Sequence, residues 1–224
     1  MNELLDSIER YWTRRAPSYT EVINGNLAGE WEGVWANELI SHFPTAEGRA
    51  LRVLDIGTGP GFYAIILAKR GFEVTAVDYS EGMLREARNN AGALADKIRF
   101  MRMDAHELDF PDDSFDVIVT RNLTWNLSDP VKAYRDWMRV LRPGGVLLNF
   151  DASYADNVRN NQSSGAHLPA DGVYGHVGMT DRLARENAAI TLMMPLSLQE
   201  RPSWDIGCLT SLGVCDCGFD RAVG

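Results

Sequence analysis

Val53-Leu54-Asp55-Ile56-Gly57-Thr58-Gly59-Pro60-Gly61 is the stretch on which the fold turns. An apolar run stopped by glycine reads as a buried strand, and three glycines in five positions let the backbone turn sharply and approach a ligand with no Cβ in the way. A helix from about Phe62 to Arg70 follows, ended by Gly71. The N–H groups at its start favour a negatively charged group. The next strand, 72–77, runs into Asp78, placed to accept from ribose hydroxyls. A dinucleotide or another adenosine compound fits this frame equally well. Two details separate them. A dinucleotide fingerprint requires a small residue at its sixth position, where this chain has Phe62. Asp55, the last residue of the strand, would repel a pyrophosphate but could hold a cationic ammonium.

Outward from this stretch the chain keeps an alternating rhythm. Ser80 caps a helix to about Ala95, with Glu81 in its first turn. Residues 98–103 and 115–120 read as the third and fourth strands. Asp129-Pro130 places a cap before a proline at the first helical position. That helix ends near Arg142-Pro143-Gly144-Gly145, and 146–150 is a fifth strand. Strands alternating with helices at this spacing predict an α/β fold with a doubly wound, mostly parallel sheet. On the N-terminal side, 3–42 reads as helical, broken near Pro17 and at Asn24-Gly25-Asn26, with one helix over about 29–42. On the other side, 152–200 breaks the rhythm and reads as an insertion over the mouth of the sheet, helical around 180–194. A helix near 203–212 and a strand near 213–219 finish the chain. The organisation expected is a helical lid over 1–45 and a core domain over 46–224.

The chain has 224 residues and a formal charge of −9, with 45% hydrophobic and 24% charged residues. This is the balance of an ordinary soluble domain. An acidic surface repels phosphate backbones and anionic membranes, so neither nucleic acid nor a membrane is the expected partner. The N-terminus lacks the features of a secretory signal. Cys208, Cys215 and Cys217 form no disulfide framework and point to a reducing, cytoplasmic setting. Cys215 and Cys217 share a face of the expected last strand, with no further ligand spaced for a metal, so buried apolar thiols are expected and no metal site.

Five segments, in order, resemble the class I S-adenosylmethionine-dependent methyltransferases, in particular the broad type 11 group. They are the glycine stretch, Val77-Asp78-Tyr79-Ser80-Glu81-Gly82-Met83-Leu84, Met103-Asp104-Ala105 with Leu108-Asp109-Phe110-Pro111, Phe115-Asp116-Val117-Ile118-Val119, and Val140-Leu141-Arg142-Pro143-Gly144-Gly145. The resemblance covers about 50–151. It implies a Rossmann-like sheet, S-adenosyl-L-methionine as cofactor and S-adenosyl-L-homocysteine as product. It implies that Asp55 holds the amino group of the methionine moiety and that Gly57, Thr58, Gly59 and Gly61 pack under the cofactor. Asp78 would take the ribose hydroxyls, Tyr79 and Met83 would flank the adenine, and Asp104 and Ala105 would meet its amino edge. Arg121 and Asn122 follow the fourth strand, where such enzymes contact cofactor and acceptor. The segment Tyr11-Trp12-Thr13-Arg14-Arg15-Ala16-Pro17-Ser18-Tyr19 is similar to the lead-in of many members, a helix that folds over the cofactor and brings Tyr19 to it.

The acceptor side is built from variable parts. Asn122, Trp125, Asp151 and Tyr154 are the candidates there, and no general base stands out. His167 and His176 could serve as bases, although a surface role fits them better; His106 reads as structural. The Asn/Asp-Pro-Pro-Tyr signature of amide and adenine N-methylation is missing, so a small-molecule acceptor is expected. A cofactor-binding protein without catalysis and a nicotinamide-dependent oxidoreductase are the rival readings. The family's sheet has seven strands, in the order 3-2-1-4-5-7-6. Only six can be placed here, so the far edge is expected to be incomplete, open to the C-terminal segment or to a second chain.

Overall fold

The computed structural model describes residues 2–45, 48–164 and 177–220. Helices α1 (Asn2–Ala28) and α2 (Trp31–Ser41) precede an alternating core: β1 (Arg52–Ile56), α3 (Phe62–Ala68), β2 (Glu73–Asp78), α4 (Glu81–Ala91), β3 (Ile98–Arg102), β4 (Phe115–Arg121), α5 (Pro130–Val140) and β5 (Leu141–Phe150). Helices α6 (Tyr154–Ser164), α7 (Asp181–Met193) and α8 (Ser203–Ser211) follow. The five strands pair in the order β3-β2-β1-β4-β5, all parallel. The order reverses beside β1, which places a crevice at the carboxyl ends of β1 and β4.

Side chains alternate along the central strands, as a two-residue period requires. Val53, Val117 and Val119 join the core under α3, together with Ile66, Leu67 and Trp35 of α2. Leu54, Ile56 and Ile118 face the other way, onto Tyr134 and Trp137 of α5. Local caps act as expected: Ser80 accepts from the Met83 N–H and Asp129 from the Lys132 N–H.

Three expectations are corrected. First, α1 runs unbroken through Pro17 and Asn24-Gly25-Asn26. A proline inside a helix costs about 3 kcal/mol, but α1 buries residues on two sides. Ile23 joins the sheet core, while Ile8 and Tyr11 pack with Ile190 and Met194 of the α7 region. Packing of this kind outweighs local propensity. Second, 213–219 forms no strand and is largely exposed. A strand exists only by pairing, and no described strand lies alongside it. The far edge is open as expected, at β5, but with five strands among the described residues rather than six. Third, the thiols are not buried: Cys215 is exposed, and Cys208 and Cys217 are half-buried.

β5 begins earlier than expected, at Leu141. Leu141 pairs with Phe115 and Val146 with Val117, so 142–145 form an irregularity within the strand rather than the end of the preceding helix.

Candidate active site

The crevice encloses about 830 Å3 of empty space, part of it open to solvent. Its floor is the glycine loop. Gly57 sits at φ +68°, and a Cβ there would lie 2.8 Å from Leu123 Cδ1. Gly61, at φ +91°, is the N-cap of α3 and packs against Ala87 of α4. Both positions therefore require glycine, for backbone conformation and for close approach.

The loop N–H groups are all used internally. Those of Gly57 and Thr58 donate to Val77 O at 2.9 and 3.0 Å, and that of Gly61 to Thr58 O at 2.9 Å. Gly59 donates to Asp78 Oδ2 at 2.9 Å, and Pro60 has no N–H. A pyrophosphate cradle needs such donors free, so the loop does not offer what a dinucleotide requires.

Asp78 stands at the end of β2, held by the Gly59 N–H and, on Oδ1, by the Ser80 N–H at 2.8 Å. Its carboxylate lines the crevice. Burial pushes this carboxyl up to about 6, against those hydrogen bonds. Beside it lie Tyr79, with Arg102 stacked over its ring at 5.2 Å, and Met83. Asp104 and Ala105 follow β3 on the same wall, and the Ala105 carbonyl is tied to Trp137 Nε1 at 2.8 Å.

Arg121 and Asn122 close the crevice from the end of β4. The Arg121 guanidinium lies 4.9 Å from the Trp35 ring and 4.7 Å from that of Phe62. Asn122 adopts φ +55°, uncommon for a residue other than glycine. Its Oδ1 accepts from Tyr154 Oη at 2.6 Å, and burial raises the Tyr154 hydroxyl, keeping it a neutral donor.

α1 roofs the crevice with Leu5, Ile8, Glu9, Trp12 and Tyr19. Thr13 and Ser80 hydroxyls meet at 2.8 Å, and Asn90 Nδ2 donates to Thr20 at 2.9 Å, so α1 is stitched to α4. Arg14 pairs with Glu186, and Arg15 donates to Val177 O at 2.9 Å, tying α1 to the α7 segment. Leu5, Ile8 and Glu9 were not legible as site residues; the only signal was that they share a helix with Trp12 and Tyr19.

Not every residue named from the sequence faces the crevice. Asp55 is buried, and its Oδ2 accepts from Thr58 Oγ1 at 2.6 Å and the Ala64 N–H at 3.0 Å. Burial pushes it up to about 7. Asp55, Thr58 and Gly61 shape the loop from behind rather than lining the space. Asp151 is likewise spent. It accepts from Thr124 Oγ1, the Trp125 N–H at 2.8 Å and the Ala152 N–H at 2.8 Å, and pairs with Arg201 at 3.0 Å. Arg201 in turn grips Asp205 of α8 at 2.8 Å. Its part in the site had no local signal, since 50 residues separate it from Asp151.

The Trp125 ring meets that of Trp12 edge to face at 6.3 Å and lies tilted against that of Tyr154 at 5.2 Å. It stands between the crevice, which Trp12 roofs, and a smaller pocket lined by Tyr154, Thr191, Leu196 and Arg201. His167 and His176 lie outside the described residues. Among the described residues, no three His, Cys, Asp or Glu gather as a metal ion would require.

Residues 54–149 match the family described as a methyltransferase domain. That stretch runs from β1 to β5, so the sheet and its crevice are the part of this chain that is similar to a methyltransferase domain. A curated relative named demethylmenaquinone methyltransferase, from Deinococcus radiodurans, is 34% identical over 151 residues, covering 64% of this chain and 60% of the relative. Another of that name, from Clavibacter sepedonicus, is 39% identical over 97 residues, covering 43% of this chain and 39% of the relative. This chain thus spans 39% to 60% of the length of these relatives. Among solved structures, phosphoethanolamine N-methyltransferase 2 of Haemonchus contortus has a TM-score of 0.62 at 20% identity, covering 90% of this chain and 41% of that one. That likeness concerns the fold alone. The matched residues include the glycine loop, Asp78 and Asp104, which surround one crevice.

Proposed function

We propose that this protein transfers a methyl group from S-adenosylmethionine to a flat, apolar, small-molecule acceptor, and that the acceptor is a quinol-type ring methylated on carbon. The observation that carries this reading is the character of the crevice. Most of its polar groups lie on the Asp78 and Asp104 wall and at the Arg121-Asn122 corner, with Glu9 on the roof and Asn126 beside Leu127. The rest of its roof and far wall is apolar and aromatic, with Leu5, Ile8, Trp12, Leu123 and Leu127. The names of the curated relatives, demethylmenaquinone methyltransferase and the ubiquinone/menaquinone C-methyltransferase of Vibrio vulnificus, supply the acceptor class.

When bound, S-adenosylmethionine supplies a methyl group activated on a sulfonium. The residues of this chain bind, orient and exclude water. Asp78 would accept from both ribose hydroxyls, Tyr79 and Met83 would flank the adenine, and Asp104 and Ala105 would meet its amino edge. Gly57 and Gly59 would let the cofactor lie against the loop, whose shape Asp55, Thr58 and Gly61 hold. Tyr19, Arg121 and Asn122 would surround the methionine end. Trp125 and Tyr154 wall the acceptor side, with Asp151 anchoring the Trp125 loop. An in-line displacement needs chiefly this positioning and desolvation. On transfer the ring carbon would gain the methyl and lose its proton to solvent at the open side of the crevice, and S-adenosylhomocysteine would be left.

The test is incubation with methyl-labelled S-adenosylmethionine and a 1,4-naphthohydroquinone bearing an open ring position, read by mass spectrometry. A product heavier by one labelled methyl on carbon supports the reading. Binding of S-adenosylhomocysteine with no product from this or other acceptors would favour a cofactor-binding protein without catalysis.

A further inference from the structure

His106 lines the crevice beside Asp104 yet is almost fully buried. Its Nδ1 lies 2.6 Å from Asp104 Oδ1, and its backbone N–H donates to the same oxygen at 2.9 Å. Its Nε2 lies 3.2 Å from the backbone N of Asp129, the N-cap of α5. A backbone N–H can only donate, so Nε2 is the bare, accepting nitrogen, and the ring's single hydrogen sits on Nδ1, aimed at Asp104. The start of α5 thus sets the tautomer of His106.

This fixes the chemistry of the neighbouring carboxylate. Oδ1 of Asp104 is doubly occupied from the His106 side, which leaves Oδ2 as its ligand-facing oxygen. Burial acts to raise the Asp104 carboxyl, but the His106 hydrogen bonds outweigh it and hold it below its ordinary value. The oxygen offered to a ligand is therefore an ionised, acceptor-only group. An amino group satisfies it; a carbonyl at the same position meets an oxygen with no proton to give.

We propose that His106 is a positioning residue for cofactor specificity: by locking Asp104 as an oriented acceptor, it makes the site select a 6-aminopurine over a 6-oxopurine. This rests on the reading of the crevice as the adenosyl site, and deepens it. The orientation has a distinctive consequence for Asp104→Asn. Two donors from His106 would claim the Asn oxygen and turn its NH2 toward the ligand, so the preference should invert.

The experiment is calorimetric titration with S-adenosylhomocysteine and its 6-oxo analogue S-inosylhomocysteine, with thermal unfolding run in parallel. The wild type should prefer the adenosyl ligand by about tenfold or more. Asp104→Asn should prefer the inosyl ligand. Asp104→Asn combined with His106→Phe, which fills the ring's space without a donor, should bind both within about threefold, because the amide is then free to rotate. Retained adenosyl preference in Asp104→Asn overturns the proposal. So does inversion that persists in the double variant, since the backbone N–H alone would then suffice. Should the double variant not fold, the single variant still decides. A wild type that binds neither ligand removes the adenosyl reading itself, a different failure.

Discussion

The Gly59 N–H donates to Asp78 Oδ2 across 2.9 Å, so the glycine loop after β1 and the carboxylate after β2 are one hydrogen-bonded unit. The loop spends on Asp78 a donor that a phosphate would otherwise take. Asp78 in turn is held at the crevice wall by the loop.

Asp78→Ala should weaken S-adenosylhomocysteine binding by about 10- to 100-fold, the effect of stranding hydrogen-bonded hydroxyls at about 1–3 kcal/mol. Asp78→Asn, which keeps an acceptor, should lose less. Calorimetry giving wild-type affinity in Asp78→Ala would remove this residue from the site.

Gly57→Ala should both destabilise the protein and reduce affinity. Positive φ and a Cβ 2.8 Å from Leu123 Cδ1 act together, at a combined cost of about 2 kcal/mol. Gly71 provides the comparison: its φ is +84°, but a Cβ there meets open space. Gly71→Ala should cost about 1 kcal/mol and leave binding intact. Urea unfolding measures both; equal losses in the two variants would mean that the Leu123 contact is immaterial.

The pH dependence follows from Asp55 and Asp78, raised by burial to about 7 and about 6. Their native pKa values lie above the unfolded ones, so between about pH 4 and 7 the native chain holds more protons. Stability of the ligand-free protein should therefore fall as pH rises through that window. Asp55→Asn should flatten the decline. Ligand affinity should run the opposite way, increasing from pH 5 to 7 as Asp78 ionises to accept ribose hydroxyls. Urea titrations from pH 5 to 8 showing equal slopes in wild type and Asp55→Asn would contradict the assignment.

Asp116 is the second residue of β4, at the end away from the crevice, and is fully buried. Arg49 grips it at 2.6 and 2.8 Å, Arg142 at 2.7 Å and the Arg52 N–H at 2.7 Å. The Arg49 hydrogen bonds, with that of Arg52 and the Arg142 charge, hold its carboxyl down to about 2 despite burial. Its contribution is present above the ordinary carboxylate range and lost as pH falls from about 4 toward 2. Asp116→Ala should cost about 2 kcal/mol, less than a fully buried pair because the arginines remain partly exposed. Cofactor affinity should not change. A parallel loss of affinity would show that the two ends of β4 are coupled.

The alternating core and the crevice floor were legible because their signals are local. Strand runs ended by glycine, Ser80 and Asp129 at helix starts, and the spacing from Gly57 to Asp78 all depend on residues within a turn or a strand of one another. The corrected elements depended on distant partners. Pro17 read as a break, yet α1 continues because Tyr11 and Ile8 find Ile190 and Met194 about 180 residues on. Residues 213–219 alternate like a strand but have no described neighbour to pair with.

From the sequence alone came the parallel α/β sheet, the glycine loop and the carboxylates after β2 and β3, since periodicity and turn chemistry are short-range. Tertiary structure decided which named residues face the crevice. Asp55 and Asp151 turned inward to Thr58, Ala64 and Arg201, because a buried carboxylate must be satisfied wherever donors lie. Leu5, Ile8 and Glu9 became the roof once α1 was stitched across α4. The tautomer of His106, and with it the character of Asp104, was set by the first turn of α5, 23 residues further along the chain.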